Sequence, residues 1–128
     1  MITSAIGIGS VMLIDDSKVD NFINSKVLEL SEKADEVQVF DDANLALDFL
    51  RNVDVFPDVI FLDIYMPVMS GFDFLEEYSK LPKSEKKHTK VILLSSAYDT
   101  LEMEKLKKYH WVSGYIIKPL TYDALNSL

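Results

Sequence analysis

Cysteine is absent from the 128 residues, and histidine appears only twice, as His88 and His110. Without Cys there is no disulfide framework, no Cys-ligated zinc and no thiol nucleophile. Two histidines do not make a histidine-rich metal site. Basic residues are in the minority: 13 Lys plus Arg face 21 Asp plus Glu, a formal net charge of −8. Following a nucleic acid groove takes clustered cations that displace counterions, so direct nucleic-acid binding is excluded. Long apolar runs are missing too. The most apolar stretch, Ala5 to Ile14, is far short of the roughly 20 residues that span a bilayer, so no membrane role is expected. It has no basic segment before it, the first Lys being Lys18, and it runs into Asp15-Asp16 where a signal peptide would have a small-residue cleavage site. The cytoplasm is the expected compartment. Gly7-Ile8-Gly9 falls short of a dinucleotide fingerprint, because Met12 stands where the third glycine belongs. Residues 1–10 read as a leader of low information.

What remains is 48% apolar, enough for the core of one domain without staples. The hydrophobic period alternates along the chain. Val11-Met12-Leu13-Ile14 is a continuous apolar run, after which Val19, Phe22, Ile23, Val27 and Leu30 recur at helical spacing, giving a helix from Ser17 to about Lys33. Val37 to Phe40 is a second strand. Asp41-Asp42 then supplies the N-cap of a helix burying Ala46, Phe49 and Leu50. Val59 to Leu62 is the third strand, and the helix after Gly71 carries Phe72, Leu75 and Tyr78 on one face. Lys80 to Lys90 is a polar connection in which His88 is a surface residue. Val91 to Leu94 is the fourth strand. Asp99 with Glu102 resembles a capping box for a helix with Leu101, Leu106 and Tyr109, closed by His110-Trp111. Gly114 to Ile117 is the fifth strand, and Thr121 opens a last helix. Continuous apolar runs indicate strands covered on both faces, hence a parallel sheet between two helical layers: a three-layer α/β sandwich with five parallel strands.

In such folds ligands bind at the carboxyl ends of the strands. Strand one ends at Asp15-Asp16, strand three at Asp63, strand four at Ser96 and strand five at Lys118. In a parallel sheet all five reach the same rim. Three carboxylates some 5 Å apart repel by about 3 kcal/mol per pair at an effective dielectric near 20, so the trio requires a compensating cation. Lys118 supplies one charge and a divalent ion the rest; all-oxygen donors suit Mg²⁺. Each feature alone also has an ordinary reading: Asp-Asp as a turn or cap, Ser-Ser as a loop, Lys-Pro as punctuation. Four complementary strand ends in order make the coincidence informative.

Those residues carry a resemblance. Leu13-Ile14-Asp15-Asp16, then Pro57-Asp58 through Leu62-Asp63-Ile64-Tyr65-Met66-Pro67 with Ser70-Gly71, Leu94-Ser95-Ser96-Ala97 and Gly114-Tyr115-Ile116-Ile117-Lys118-Pro119 resemble the receiver domain of bacterial two-component response regulators. The likeness covers residues 11–128 and implies a flavodoxin-like (βα)5 fold. It implies that Asp63 accepts a phosphoryl group from a sensor histidine kinase or histidine phosphotransfer protein. It further implies that Asp16, Asp63 and the Tyr65 backbone carbonyl bind Mg²⁺, with Asp15 acting through water. Lys118 would pair with the phosphoryl oxygens ahead of a cis Lys118-Pro119 bond. Ser96 would move toward the phosphoryl and Tyr115 would rotate into the vacated space. The surface of helix four, strand five and helix five, with Tyr109, Trp111 and Tyr115, would then change for a downstream protein target.

Two departures and two alternative readings accompany the likeness. Tyr65 and Tyr98 stand where many family members have small or polar residues, and their rings are expected to screen the acyl phosphate from water. The last helix, Thr121 to Leu128, is shorter than the family's, as in an excised part of a longer protein. Other readings of the same site are a Mg²⁺-dependent aspartate-nucleophile phosphatase, for which Tyr65 occupies the second acid's place, and a degenerate receiver serving as an interaction scaffold.

Overall fold

The apolar runs become the middle layer of the molecule. In the computed structural model, which describes residues 7–82, 86 and 88–128, the strands are β1 (Gly9–Ile14), β2 (Ala34–Phe40), β3 (Val59–Asp63), β4 (Lys90–Ser95) and β5 (Gly114–Ile117). They alternate with α1 (Lys18–Ser31), α2 (Ala43–Asn52), α3 (Gly71–Ser79), α4 (Thr100–Leu106) and α5 (Tyr122–Asn126), and a 3-10 turn, Lys107–Tyr109, prolongs α4. Every ladder is parallel, in the order β2-β1-β3-β4-β5. The order reverses between β1 and β3, so the rim above those two strands is where a doubly wound sheet opens a crevice.

Residue alternation along the strands divides the core in two. Met12, Ile14, Ile60, Leu62, Val91 and Leu93 pack with Ala46, Leu47 and Leu50 of α2 and Phe74, Leu75 and Tyr78 of α3. Val11, Leu13, Val59, Phe61, Ile92 and Leu94 pack on the other side with Leu28 of α1 and Leu125 of α5. Side-chain caps at Ser17, Asp42, Ser70, Asp99 and Thr121 fix the helix starts, each accepting from a first-turn amide. Ser70 and Asp73 form a reciprocal capping box.

Several details differ from the sequence reading. Residues 1–6 of the stretch read as a leader lie outside the described residues, whereas Gly9 and Ser10 already belong to β1. Gly9 has φ +84°, and a Cβ there would stand 2.1 Å from the Asp58 carboxylate, which accepts from the Ser10 amide at 2.9 Å. Only glycine fits so close an approach. In α2, Leu47 is buried and Phe49 is half-buried against Phe40, with ring centroids 5.5 Å apart. His88 is exposed as expected, with Nε2 3.0 Å from the Phe56 carbonyl. Residues 83–85 and 87 of the polar connection lie outside the described residues.

The larger correction concerns α1. The apolar stripe of Val19, Phe22, Ile23 and Leu30 faces outward, Phe22 being 63% exposed, while Asn21, Asn24 and Leu28 are buried. The asparagines are inward because each has a backbone partner: Asn21 Nδ2 donates to the Asp15 carbonyl at 2.7 Å, and Asn24 Oδ1 accepts from the Leu120 amide at 3.0 Å. Hydrogen-bonded polar groups tolerate burial, and through these two bonds the end of β1 and the turn after β5 are held to the helix. Leu28→Ala should therefore lower stability by about 2–4 kcal/mol and Phe22→Ala by less than about 0.5 kcal/mol. Urea midpoints of the two variants check this, and equal losses would contradict the inverted face.

Candidate functional site

Asp15 follows β1, Asp63 closes β3 and Lys118 follows β5, so three chain segments distant in sequence meet above the crevice. The Lys118 ammonium lies 2.8 Å from Asp15 Oδ2, 2.9 Å from Asp63 Oδ1 and 2.9 Å from Asp20 Oδ2. Asp15 and Asp63 are buried, and Asp16 beside them is exposed. Asp15, Asp16 and Asp63 each offer a carboxylate oxygen within 4.8 Å of the others. One ammonium among four carboxylates, Asp20 included, leaves the rim strongly negative. Burial pushes the Asp63 carboxyl up to about 6; the Lys118 hydrogen bond opposes this, and the charges of Asp15 and Asp16 reinforce it. Burial works against the charge on Lys118, but hydrogen bonds to Asp15, Asp63 and Asp20 overcome it and hold its pKa above the ordinary lysine range.

The site is built by local interactions. The second Asp15 oxygen accepts from the Ser17 amide at 2.9 Å, and the Ser17 hydroxyl caps α1 by accepting from Asp20 N at 3.1 Å. This sets Asp20, in the first turn, facing Lys118. The Lys118-Pro119 peptide is cis, as the resemblance implied. On the far side, the Gly71 amide donates to the Ile64 carbonyl at 2.7 Å. A Cβ on Gly71 would lie 2.5 Å from the Asp63 carbonyl oxygen, so α3 begins directly against the backbone of Asp63. A cavity of about 250 Å³ opens beside Lys118, lined by Asp20, Ile23, Asn24, Ser96 and Pro119.

Each candidate can now be placed. Asp15, Asp16, Asp63 and Lys118 come together, and Ser96 is an exposed neighbour of Lys118 in that cavity. The hydroxyl sharing partners with Tyr115 is that of Ser95. Ser95 Oγ and Tyr115 Oη both reach Glu102 Oε1, at 3.0 and 2.7 Å, and the Ala97 carbonyl oxygen, at 2.7 and 3.2 Å. Strand register explains this: Leu93 pairs with Tyr115 and Ser95 with Ile117, so Ser95 and Tyr115 lie on one face of the sheet and Ser96 on the other. The anticipated capping box at Asp99 is half formed. Asp99 accepts from the Leu101 and Glu102 amides, but the Glu102 side chain turns inward to these hydroxyls while Leu101 is 72% exposed. Tyr65 and Tyr98 are both exposed, and the Glu102 carboxylate facing its hydroxyl pushes Tyr65 up to about 12. Trp111, exposed at its edge, stacks on Tyr78 with ring centroids 5.7 Å apart, and Tyr109 is buried with its hydroxyl donating to Glu76 at 2.9 Å.

Asp20, Ser95 and Glu102 were missed from sequence. Asp20 lies three residues after a helix-capping serine, a spacing that places an acid in the first turn. Counting alternation back from the end of β4 separates Ser95 from Ser96. Glu102 carried no signal, because its spacing from Asp99 suits a cap equally well.

An acidic, lysine-bridged rim at the switch point of a flavodoxin-like sheet defines a class of α/β domains, and the comparisons with known proteins specify it. The family model for the response regulator receiver domain matches residues 11–128. The chain belongs to that family, a signalling domain of two-component systems. A crystal structure of a two-component response regulator from Cytophaga hutchinsonii is 32% identical, with a TM-score of 0.86, covering 94% of this chain and 93% of that one. A response regulator receiver protein from Dyadobacter fermentans is 31% identical with a TM-score of 0.84, covering 93% of each chain. An uncharacterized response regulatory protein of Vibrio cholerae is 27% identical over 91% of this chain and 45% of its own length. The chain thus spans about half or less of the curated relatives it matches, which include a hybrid signal transduction histidine kinase from Dictyostelium discoideum, 7% covered. Among the described residues no helix is long and apolar enough to cross a membrane.

The raised Asp63 carboxyl gives a signed expectation. Below pH 4 the group is neutral folded or unfolded; above pH 6 it is charged in both. Between these values the folded state holds the proton more tightly, so stability falls as pH rises through the window. The loss is on the order of 3 kcal/mol and absent from Asp63→Asn. Urea midpoints at pH 4 and pH 7.5 in chelator test it; parallel profiles for the two proteins would refute it.

Proposed function

We propose that the domain is a phosphorylation-controlled switch in which Asp63 is the phosphoacceptor. The observation carrying this reading is the meeting of Asp63 with Lys118 and two further carboxylates at the strand-order reversal. The donor is a phosphohistidine on a sensor kinase or histidine phosphotransfer protein. An Asp63 carboxylate oxygen attacks phosphorus, an O–P bond forms as the P–N bond breaks, and the departing imidazole takes a proton from solvent. Such a relay would operate in the cytoplasm.

The donor set fits a hard divalent cation: oxygen ligands only, close together, and under-neutralised by one ammonium. Asp16, Asp63 and the Tyr65 carbonyl would hold Mg²⁺ directly and Asp15 through water. Bound there, Mg²⁺ would neutralise phosphoryl charge. Lys118 holds the phosphoryl oxygens from the other side and orients Asp63 meanwhile. The hydroxyls at the end of β4, Ser96 and Ser95, are the donors closest in sequence to the strand residue paired with Asp63. A changed hydroxyl position, followed by Tyr115, would alter the surface of α4, β5 and α5 that a downstream protein target reads. The module turns over nothing beyond its own acyl phosphate. With a tyrosine two residues after Asp63, the phosphatase reading lacks its second acid.

Incubation with Mg²⁺ and acetyl phosphate should add one phosphoryl mass to the wild type and none to Asp63→Asn. Repeated turnover of donor would favour the phosphatase, and no adduct the scaffold. The Tyr65 ring, beside the acceptor in sequence, is assigned the part of a water screen. Tyr65→Asn should speed loss of the phosphoryl mass severalfold, and an unchanged rate rejects that part.

A further inference from the structure

Glu102 is a buried carboxylate that the phosphotransfer chemistry does not use. It is 3% exposed, and among the described residues its charge is met by hydroxyls, with no cation within ion-pair distance. Burying a carboxylate this way is costly unless hydrogen bonds compensate. The compensation comes from Ser95 and Tyr115, with the Tyr65 hydroxyl facing the same group. Three elements thus converge on one acid: the end of β4, the middle of β5 and the loop after Asp63.

The arrangement has a specific economy of protons. Ser95 and Tyr115 each carry one hydroxyl hydrogen, and each lies within reach of both Glu102 and the Ala97 carbonyl. Ser95 and Tyr115 therefore share two acceptors, and withdrawing either hydroxyl leaves Glu102 with one donor fewer. Ser95 also stands at the other boundary. Asp63 pairs with Leu94 in the β3–β4 ladder, and the Ile64 amide donates to the Leu94 carbonyl at 3.3 Å, so Ser95 is the next residue along from the acceptor's own partner. The end of this strand thus adjoins Asp63 through the β3–β4 ladder and Glu102 through the Ser95 hydroxyl.

We propose that Glu102 is the positioning residue that sets the resting state of the switch, holding the Ser95 and Tyr115 hydroxyls on the α4 side so that phosphorylation must compete with it for a donor. The inference rests on the phosphoacceptor reading above. It assigns the resting state to α4, an element without a ligand to the phosphoryl or metal. Its consequence is that weakening the Glu102 acceptor favours the phosphorylated arrangement without touching the acidic cluster.

The test uses the whole chain with beryllofluoride and Mg²⁺ as a non-covalent phosphoryl mimic, on the wild type, Glu102→Gln and Glu102→Ala. Glu102→Ala should bind beryllofluoride about tenfold more tightly, the equivalent of one hydrogen bond to a charged acceptor no longer broken. Glu102→Gln, a neutral acceptor of the same shape, should fall between it and the wild type, and it keeps the test available if the alanine variant does not fold. Mg²⁺ affinity alone should be unchanged in both, whereas general damage to the fold would lower it. Fluorotyrosine at Tyr115 gives the second readout: without any ligand, its resonance in the variants should move toward the wild-type position with beryllofluoride. Variants matching the wild type in beryllofluoride affinity and Tyr115 resonance overturn the proposal, as does weaker binding of beryllofluoride. If the wild type itself takes neither acetyl phosphate nor beryllofluoride, the phosphoacceptor reading fails and this inference with it. If the wild type takes both and the variants do not differ from it, the inference alone fails.

Discussion

The ammonium of Lys118 is the interaction on which the rest of the molecule is organised. It touches carboxylates from the residue after β1, from α1 and from the end of β3 at 2.8–2.9 Å, in a place where removing it would leave buried acids facing one another. A half-compensated cluster of this kind is expensive, and much of the local architecture serves to hold it. Asp15 anchors Ser17, Ser17 caps α1, and α1 brings Asp20 to the lysine. Asn21 and Asn24 complete the frame by tying the same helix to the residue after β1 and to the turn after β5. The buried face of α1 is polar at Asn21 and Asn24, where its neighbours are backbone groups, and apolar further on at Leu28.

A response regulator receiver is readable from sequence to an unusual depth, for a physical reason. Parallel strands buried on both faces have to be unbroken apolar runs, and the residue that stops each run sits by geometry on the functional rim. Asp15, Asp16, Asp63 and Lys118 were visible in that way. The orientation of α1 was not, since helical spacing alone prefers Val19, Phe22 and Ile23 inward, and only the tertiary partners of Asn21 and Asn24 reverse it. Ser95 and Ser96 are chemically identical neighbours, so the choice between them depends on strand register. Glu102 was illegible because a buried acid met by hydroxyls leaves no pattern in a linear sequence.

The two ends of the site differ in how much freedom they have. Gly71 allows α3 to start against the Asp63 carbonyl with no room for even a methyl group, so this side is held tightly. The β4 side offers hydroxyls with alternative acceptors and an open cavity next to Lys118. Rigidity for positioning and latitude for response are thus segregated to opposite flanks of one aspartate.

The place of Tyr115 within the sheet has a further bearing. Its strand, four residues long, has among the described residues a neighbour on one side only, and its residues are half-buried or exposed. Three of the four ladders lie between other strands, so a shift there leaves the structural majority of the sheet undisturbed. Peripheral placement of this kind would let the proposed switch modify the outline of the domain at β5 while the interior ladders stay as they are.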